Sequence, residues 1–187
     1  MRLHVLCEDS LHQRFVERLA ERWGIARHHC DIDAAPKGEN GSAYVLANYP
    51  DAVRKLRMRS HDANVCLLVV IDGDREGLAR RRRELASALE KAGVDPVDPA
   101  RVAIVVPTRH IETWIAWLCG HRPIEESRRY KANTADDAEA REVGRAIERG
   151  EYSPRRAVDA WEPAMAEEGR HVPALTDARG EVGRIGL

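Results

Sequence analysis

Val65-Cys66-Leu67-Leu68-Val69-Val70-Ile71-Asp72-Gly73-Asp74 is the stretch that decides the fold. Its first seven residues are apolar and rich in β-branched side chains, and no polar residue alternates with them. That is the pattern of a strand covered on both faces, as in a parallel sheet. The run stops abruptly at two acids around a glycine. A helix is expected from about Glu76 to Lys91, closed by Gly93. Downstream, Val102 to Val106 is a second uninterrupted apolar strand, ended by Pro107. Arg109 to Cys119 then reads as a helix with Ile111, Trp114, Ile115 and Leu118 on one face. Upstream, Leu3 to Cys7 reads as a short strand ending at Glu8. Ser10 is the expected cap of a helix to about Trp23, whose Leu11, Phe15, Leu19 and Trp23 make one buried stripe, and Gly24 ends it. His28 to Ala34 is a weaker strand. Pro36 to Gly41 is a loop by composition, and Ser42 is the expected cap of a helix broken near Tyr49 by Pro50.

Strands buried on both faces and separated by helices specify an α/β fold. The expectation is a Rossmann-like parallel sheet of about four strands with helices on both faces, over residues 1–120. Residues 121–187 read as a helical C-terminal extension. Asn133 or Thr134 is the expected cap of one helix to about Arg149. Ser153-Pro154 is expected to open another reaching about Glu168, and the stretch from Arg170 onward is expected to be poorly ordered.

Composition removes several classes. Lys and Arg total 30 and Asp and Glu total 31 in 187 residues, a net charge of -1, so the chain is not a globally basic nucleic-acid binder. Aromatic residues are 5%, few for a platform that stacks single-stranded bases. Cys7, Cys30, Cys66 and Cys119 form no C-x-x-C, which argues against a disulfide framework or a zinc knuckle. The first residues lack the apolar length of a signal peptide, and no stretch has the roughly 20 apolar residues of a membrane helix. The cytoplasm is the expected compartment.

In open parallel sheets, ligands bind outside the carboxyl ends of the strands. There the first strand delivers Glu8, with Asp9 beside it. The central strand delivers Asp72 and Asp74. The last delivers Thr108, Arg109 and His110, with Glu112 in the helix that follows. If the first and central strands are neighbours, three carboxylates converge, and they cannot all ionise without compensation. A hard divalent cation supplies it, and Gly73 permits the turn that lets both aspartates reach one ion. The blander alternative is that strand-end acids cap helices. His28-His29-Cys30-Asp31 has ligand residue types, but neighbours in a strand face opposite ways. Gly38-Glu39-Asn40-Gly41 lacks the ending of a phosphate-binding loop. Arg80-Arg81-Arg82-Arg83 wraps most of a helix, which fits a solvated face as well as a phosphate contact.

A glutamate closing the first strand, followed by Asp-x-Asp closing a later apolar strand, resembles the TOPRIM domain. Asp72-Gly73-Asp74-Arg75-Glu76-Gly77 is similar to the D-x-D-x-x-G form found in type IA topoisomerases. Ile111-Glu112-Thr113-Trp114 is similar to a segment of small TOPRIM-related prokaryotic proteins. The likeness covers about residues 1–120, and Asp9 stands where the family commonly has glycine. It implies Mg²⁺ or Mn²⁺ held by Glu8, Asp72 and Asp74, with Glu8 sharing a metal or acting as general base. Auxiliary places fall to Asp9, Arg75, Glu76, His110 and Glu112: Arg75 against phosphate charge, His110 as proton shuttle, Glu112 as outer ligand. Of the family's activities, a nuclease like those of the overcoming-lysogenization-defect (OLD) group suits this length, in prokaryotic defence or repair. The implied partners are nucleic acid, DNA ahead of RNA, and an ATPase or further copies of the chain. The competing readings are a non-catalytic interaction subunit and a phosphohydrolase of small esters. On the nuclease reading, Asp72→Asn is expected to abolish metal-dependent cleavage while the fold survives.

Overall fold

A computed structural model describes residues 1–59, 61–62, 64–96, 98–122, 124–162 and 172–187. Four strands, β1 (Arg2–Cys7), β2 (Cys30–Ala34), β3 (Val65–Val70) and β4 (Val102–Val105), form one parallel sheet in the order β2-β1-β3-β4. Cys7 pairs with Val70, so β1 and β3 are neighbours and end level with each other. The chain moves outward from β1 to β2 on one side and from β3 to β4 on the other. The topological switch point therefore lies between β1 and β3, where the acids were expected to meet.

Alternate residues of the strands serve two cores. Leu3, Val5, Cys7, Cys66, Leu68 and Val70 face α1 (Ser10–Arg22) and α4 (Ile111–Leu118). Leu6, Leu67, Val69 and Ile71 face α2 (Gly41–Met58) and α3 (Gly77–Lys91). The fold is thus the expected Rossmann-like α/β sheet covered on both sides. The C-terminal third adds α5 (Ala138–Glu148), α6 (Pro154–Asp159) and α7 (Pro173–Arg184). Their apolar residues join the α1–α4 side, where the ring of Trp161 packs against Phe15 and Trp114. Trp114 and Trp117 are core residues.

Local differences have physical causes. Asp9, not Ser10, caps α1; its Oδ1 accepts from the backbone N–H of Leu11 at 2.8 Å and of His12 at 3.0 Å. Asn40, not Ser42, caps α2. That helix runs through Pro50 without the expected break, because Val45, Tyr49, Val53 and Leu56 bury one face along its whole length. α4 begins at Ile111, two residues later than expected. Asp137 rather than Asn133 or Thr134 caps α5. Ser153 does cap α6, which ends at Asp159; residues 163–171, on which the expected continuation to Glu168 falls, lie outside the described residues.

Over Pro173–Arg184 the expectation of poor order from Arg170 onward is overturned by α7. Leu175, Ala178 and Val182 of this helix, with the flanking Val172 and Ile185, are buried at helical spacing. The helix also completes the edge of the sheet: Glu181 Oε2 accepts the Ile104 N–H at 2.9 Å, and Arg82 reaches Asp177 at 2.9 Å and Glu181 at 3.0 Å. An edge strand with one N–H taken by a carboxylate and covered by a helix is a poor template for unwanted pairing. Among the described residues no helix is long and apolar enough to cross a membrane.

Candidate functional site

The site is built where β1 and β3 leave the sheet. Glu8 follows β1 directly, and its Oε1 accepts the Asp72 N–H at 2.8 Å. Gly41 makes room for this glutamate, since a Cβ at 41 would lie 2.7 Å from Glu8 Cβ. Gly73 fits against the β4–α4 connection, donating its N–H to Pro107 O at 2.7 Å. Asp74 then turns with φ of 50°, the only non-glycine with positive φ among the described residues, and its N–H donates to Arg109 O at 3.0 Å. An aspartate tolerates that conformation better than most residues, at a cost of about 1 kcal/mol.

Asp72 is the centre and is wholly buried. Its Oδ1 takes the Ile111 N–H at 2.9 Å and His12 Nε2 at 3.0 Å. Its Oδ2 takes His110 Nδ1 at 3.2 Å and the Lys131 ammonium at 3.1 Å. Burial alone would raise the Asp72 carboxyl. The charge of His12, the His110 hydrogen bond and Lys131 overcome that and hold it well below its usual range. His12 is in turn clamped between Asp72 and Asp9 Oδ1, at 2.8 Å from its Nδ1. Burial opposes its charge, but the two carboxylates keep it an imidazolium well above its ordinary value. Asp9 is pulled down to about 2; burial works against this, and the contacts with His12 prevail.

Two other acids complete the cluster. Burial, reinforced by the Asp72 charge, pushes Glu8 up to about 7. Glu112 is buried in the first turn of α4, its carboxyl raised by burial, and among the described residues its Oε2 has no hydrogen-bond partner. Asp74 is half-exposed; Arg81 holds its Oδ2, and His110 Nδ1 lies 3.6 Å from its Oδ1.

The structure thus joins Glu8 and Asp72 by a hydrogen bond, links Asp74 to Asp72 through His110, and sets Glu112 beside them. Asp9 is engaged as helix cap and partner of His12. Glu76 pairs with Arg80 on the rim, and Arg75 is exposed there. The arginine run divides. Arg80 pairs with Glu76 and Glu84, Arg81 turns inward to Asp72 O at 2.7 Å, Arg82 anchors α7, and Arg83 faces outward. Two clefts flank the cluster. One of about 560 Å³ is lined by Asp74, Arg75, Arg80, Arg109, His110 and Arg129. The other, of about 520 Å³, is lined by Asp9, Arg14, Glu112, Lys131, Asn133 and Thr134 among others.

His12 and Lys131 are the site residues that the sequence reading missed. His12 had a signal, because it follows Glu8 by four residues and faces the core between apolar positions of α1. Lys131 had none, since it sits in an irregular segment far from the strand ends. Together they supply from within the protein the positive charge that had been assigned to a metal. Among the described residues no three His, Cys, Asp or Glu side chains stand in an arrangement ready to hold an ion. The donor set still suits a hard divalent cation: Glu8, Asp72, Asp74 and Glu112 offer oxygens alone, and one buried carboxylate oxygen is orphaned. No family model, curated protein or solved structure matches the chain.

Glu8 carries a prediction of its own. Between pH 4.5, its usual value, and about 7, the folded chain keeps a proton on Glu8 that the unfolded chain has lost. Stability therefore falls as pH rises through that window. Glu8→Gln keeps the Oε1 acceptor and removes the ionisation. It is expected to stabilise the metal-free protein on the order of 2 kcal/mol at pH 8 and by little at pH 4.5. Urea unfolding at the two pH values measures the difference; an equal effect at both would refute the assignment.

Proposed function

We propose that the chain is a TOPRIM-like, divalent-metal-dependent phosphodiester-processing protein, with nucleic acid as its substrate class. The observation that supports this reading is the placement of Glu8, Asp72 and Asp74 where β1 and β3 leave the sheet at the switch point, with the orphaned oxygen of the buried Glu112 in the first turn of α4. Glu8, Asp72 and Asp74 would hold Mg²⁺ or Mn²⁺, and Glu112 would act from the outer side. The bound ion would polarise the phosphoryl oxygen and lower the pKa of an attacking water. The chain's own residues supply the rest. Five arginines, Arg75, Arg80, Arg81, Arg109 and Arg129, line the cleft next to Asp74 against the three acids Asp74, Glu76 and Glu84, an excess of positive charge that would favour a phosphate backbone despite the balanced total charge. His110 lines that cleft, and its contact with Asp72 Oδ2 at 3.2 Å orients the imidazole ring.

A second reading, a non-catalytic interaction subunit, is favoured by one observation. His12 and Lys131 already neutralise Asp72, so the acids are held together without an ion. Cleavage assays on DNA, RNA and a small phosphate ester with Mg²⁺ and Mn²⁺ separate the readings. Asp74→Asn is the useful variant, because Asp74 is half-exposed and its loss should leave the fold standing. Nucleic-acid cleavage is expected, and the variant is expected to lower it by roughly 10- to 100-fold. Full activity in the variant would remove Asp74 from the site. No cleavage of nucleic acid under any metal would favour the interaction subunit, and turnover of the small ester alone would favour a phosphohydrolase.

A further inference from the structure

Lys131 is the one member of the cluster that comes from outside the α/β unit. Its backbone is fixed from both sides. Tyr130 is fully buried, and its hydroxyl accepts the Glu125 N–H at 3.2 Å. Gly144 of α5 lies so close that a Cβ there would sit 2.3 Å from Tyr130 O and 2.5 Å from Ala132 N. From this fixed base the ammonium reaches Asp72 Oδ2 at 3.1 Å. Asp9 and Glu112 line the same cleft as Lys131, so its ammonium stands among carboxylates. A lysine tip is a point charge on a flexible four-carbon stem, able to swing while its Cα stays in place. The cleft of about 520 Å³ that Lys131 and Glu112 both line gives it somewhere to go.

We infer that the Lys131 ammonium is a resident counter-ion, and that it and a divalent metal ion are alternative occupants of one carboxylate cluster. The inference rests on the metal reading above and adds the residue that competes with the ion. The Lys131 ammonium sits on Asp72 Oδ2 at 3.1 Å, so a dication approaching that same oxygen meets its repulsion. In the metal-free protein Lys131 compensates the buried carboxylate. When the ion enters, the side chain leaves for the cleft.

Calorimetric titration of the whole chain with Mn²⁺ alone tests this, using wild type, Lys131→Met and Lys131→Gln. Both variants are expected to bind Mn²⁺ at least roughly tenfold more tightly than wild type. Equal or weaker binding by the variants, with wild type still binding, overturns the role of Lys131 and leaves the metal reading in place. No binding by any of the three overturns both. A second measurement needs no variant: acetylation of Lys131 in the wild-type protein, quantified by mass spectrometry, is expected to rise when Mn²⁺ is added. Unchanged labelling at saturating Mn²⁺ contradicts displacement.

Discussion

Asp72→Ala is expected to lower the unfolding free energy by about 3–5 kcal/mol, a large part of what an ordinary domain possesses. The wholly buried carboxylate receives four donors: two histidine rings, an ammonium and the first backbone N–H of α4. Removing it leaves the His12 charge buried, with only Asp9 to answer it, and deprives Lys131 of its nearest partner. Asp72→Asn should lose less, but its amide group must face at least one of the same donors. The expectation that Asp72→Asn would leave the fold intact therefore changes. Loss of activity in that variant would not separate catalysis from folding, whereas Asp74→Asn can. Urea unfolding of Asp72→Ala gives the number. A change below about 1 kcal/mol would mean that the charges around Asp72 are not held as described.

Gly73→Ala is expected to be comparably severe, about 3 kcal/mol or more. An added Cβ would lie 2.3 Å from Thr108 O and 2.7 Å from Pro107 O, both backbone atoms of the β4–α4 connection. No side-chain rotation relieves such a clash. The turn must move, and Asp72 and Asp74 move with it, so metal binding should be lost along with stability. Gly180→Ala in α7 is the contrast, because open space surrounds that position. There the smaller chain entropy of alanine should stabilise by roughly 0.5–1 kcal/mol. Thermal unfolding of the pair compares them directly; a near-neutral Gly73→Ala would contradict the close approach.

The fold was legible because its strongest signal is nearly context-free. A run such as Val65–Ile71 must be buried on both faces, and the glycine-flanked helices around it leave few alternatives to a parallel sheet. Whether the first and central strands are neighbours was left open by the sequence; the strand order answers it, and Glu8, Asp72, Asp74, His110 and Glu112 all lie near the switch point it creates. Helix starts were less legible where two capping residues adjoin. At Asp9-Ser10 the carboxylate prevailed, because one oxygen serves two backbone N–H groups and His12 together. The role of α7 was hidden by its charged and glycine-containing residues, although Val172, Leu175, Ala178, Val182 and Ile185 do keep a helical spacing. The electrostatics of the site were the least legible. Clustered acids announce a need for positive charge, but the pattern along the chain does not say whether an ion or the protein's own side chains meet it. His12 is four residues from Glu8, and Lys131 is 59 residues from Asp72; only the folded packing against Tyr130 and Gly144 brings the lysine there.

The most direct test of a metal site at the β1–β3 switch point is the anomalous scattering of crystals of the whole chain soaked in Mn²⁺. The prediction is at least one Mn²⁺ within roughly 2–2.5 Å of carboxylate oxygens from Glu8, Asp72 or Asp74, with the Lys131 ammonium withdrawn from Asp72. A cluster without Mn²⁺, with Lys131 still on Asp72 Oδ2, would contradict it.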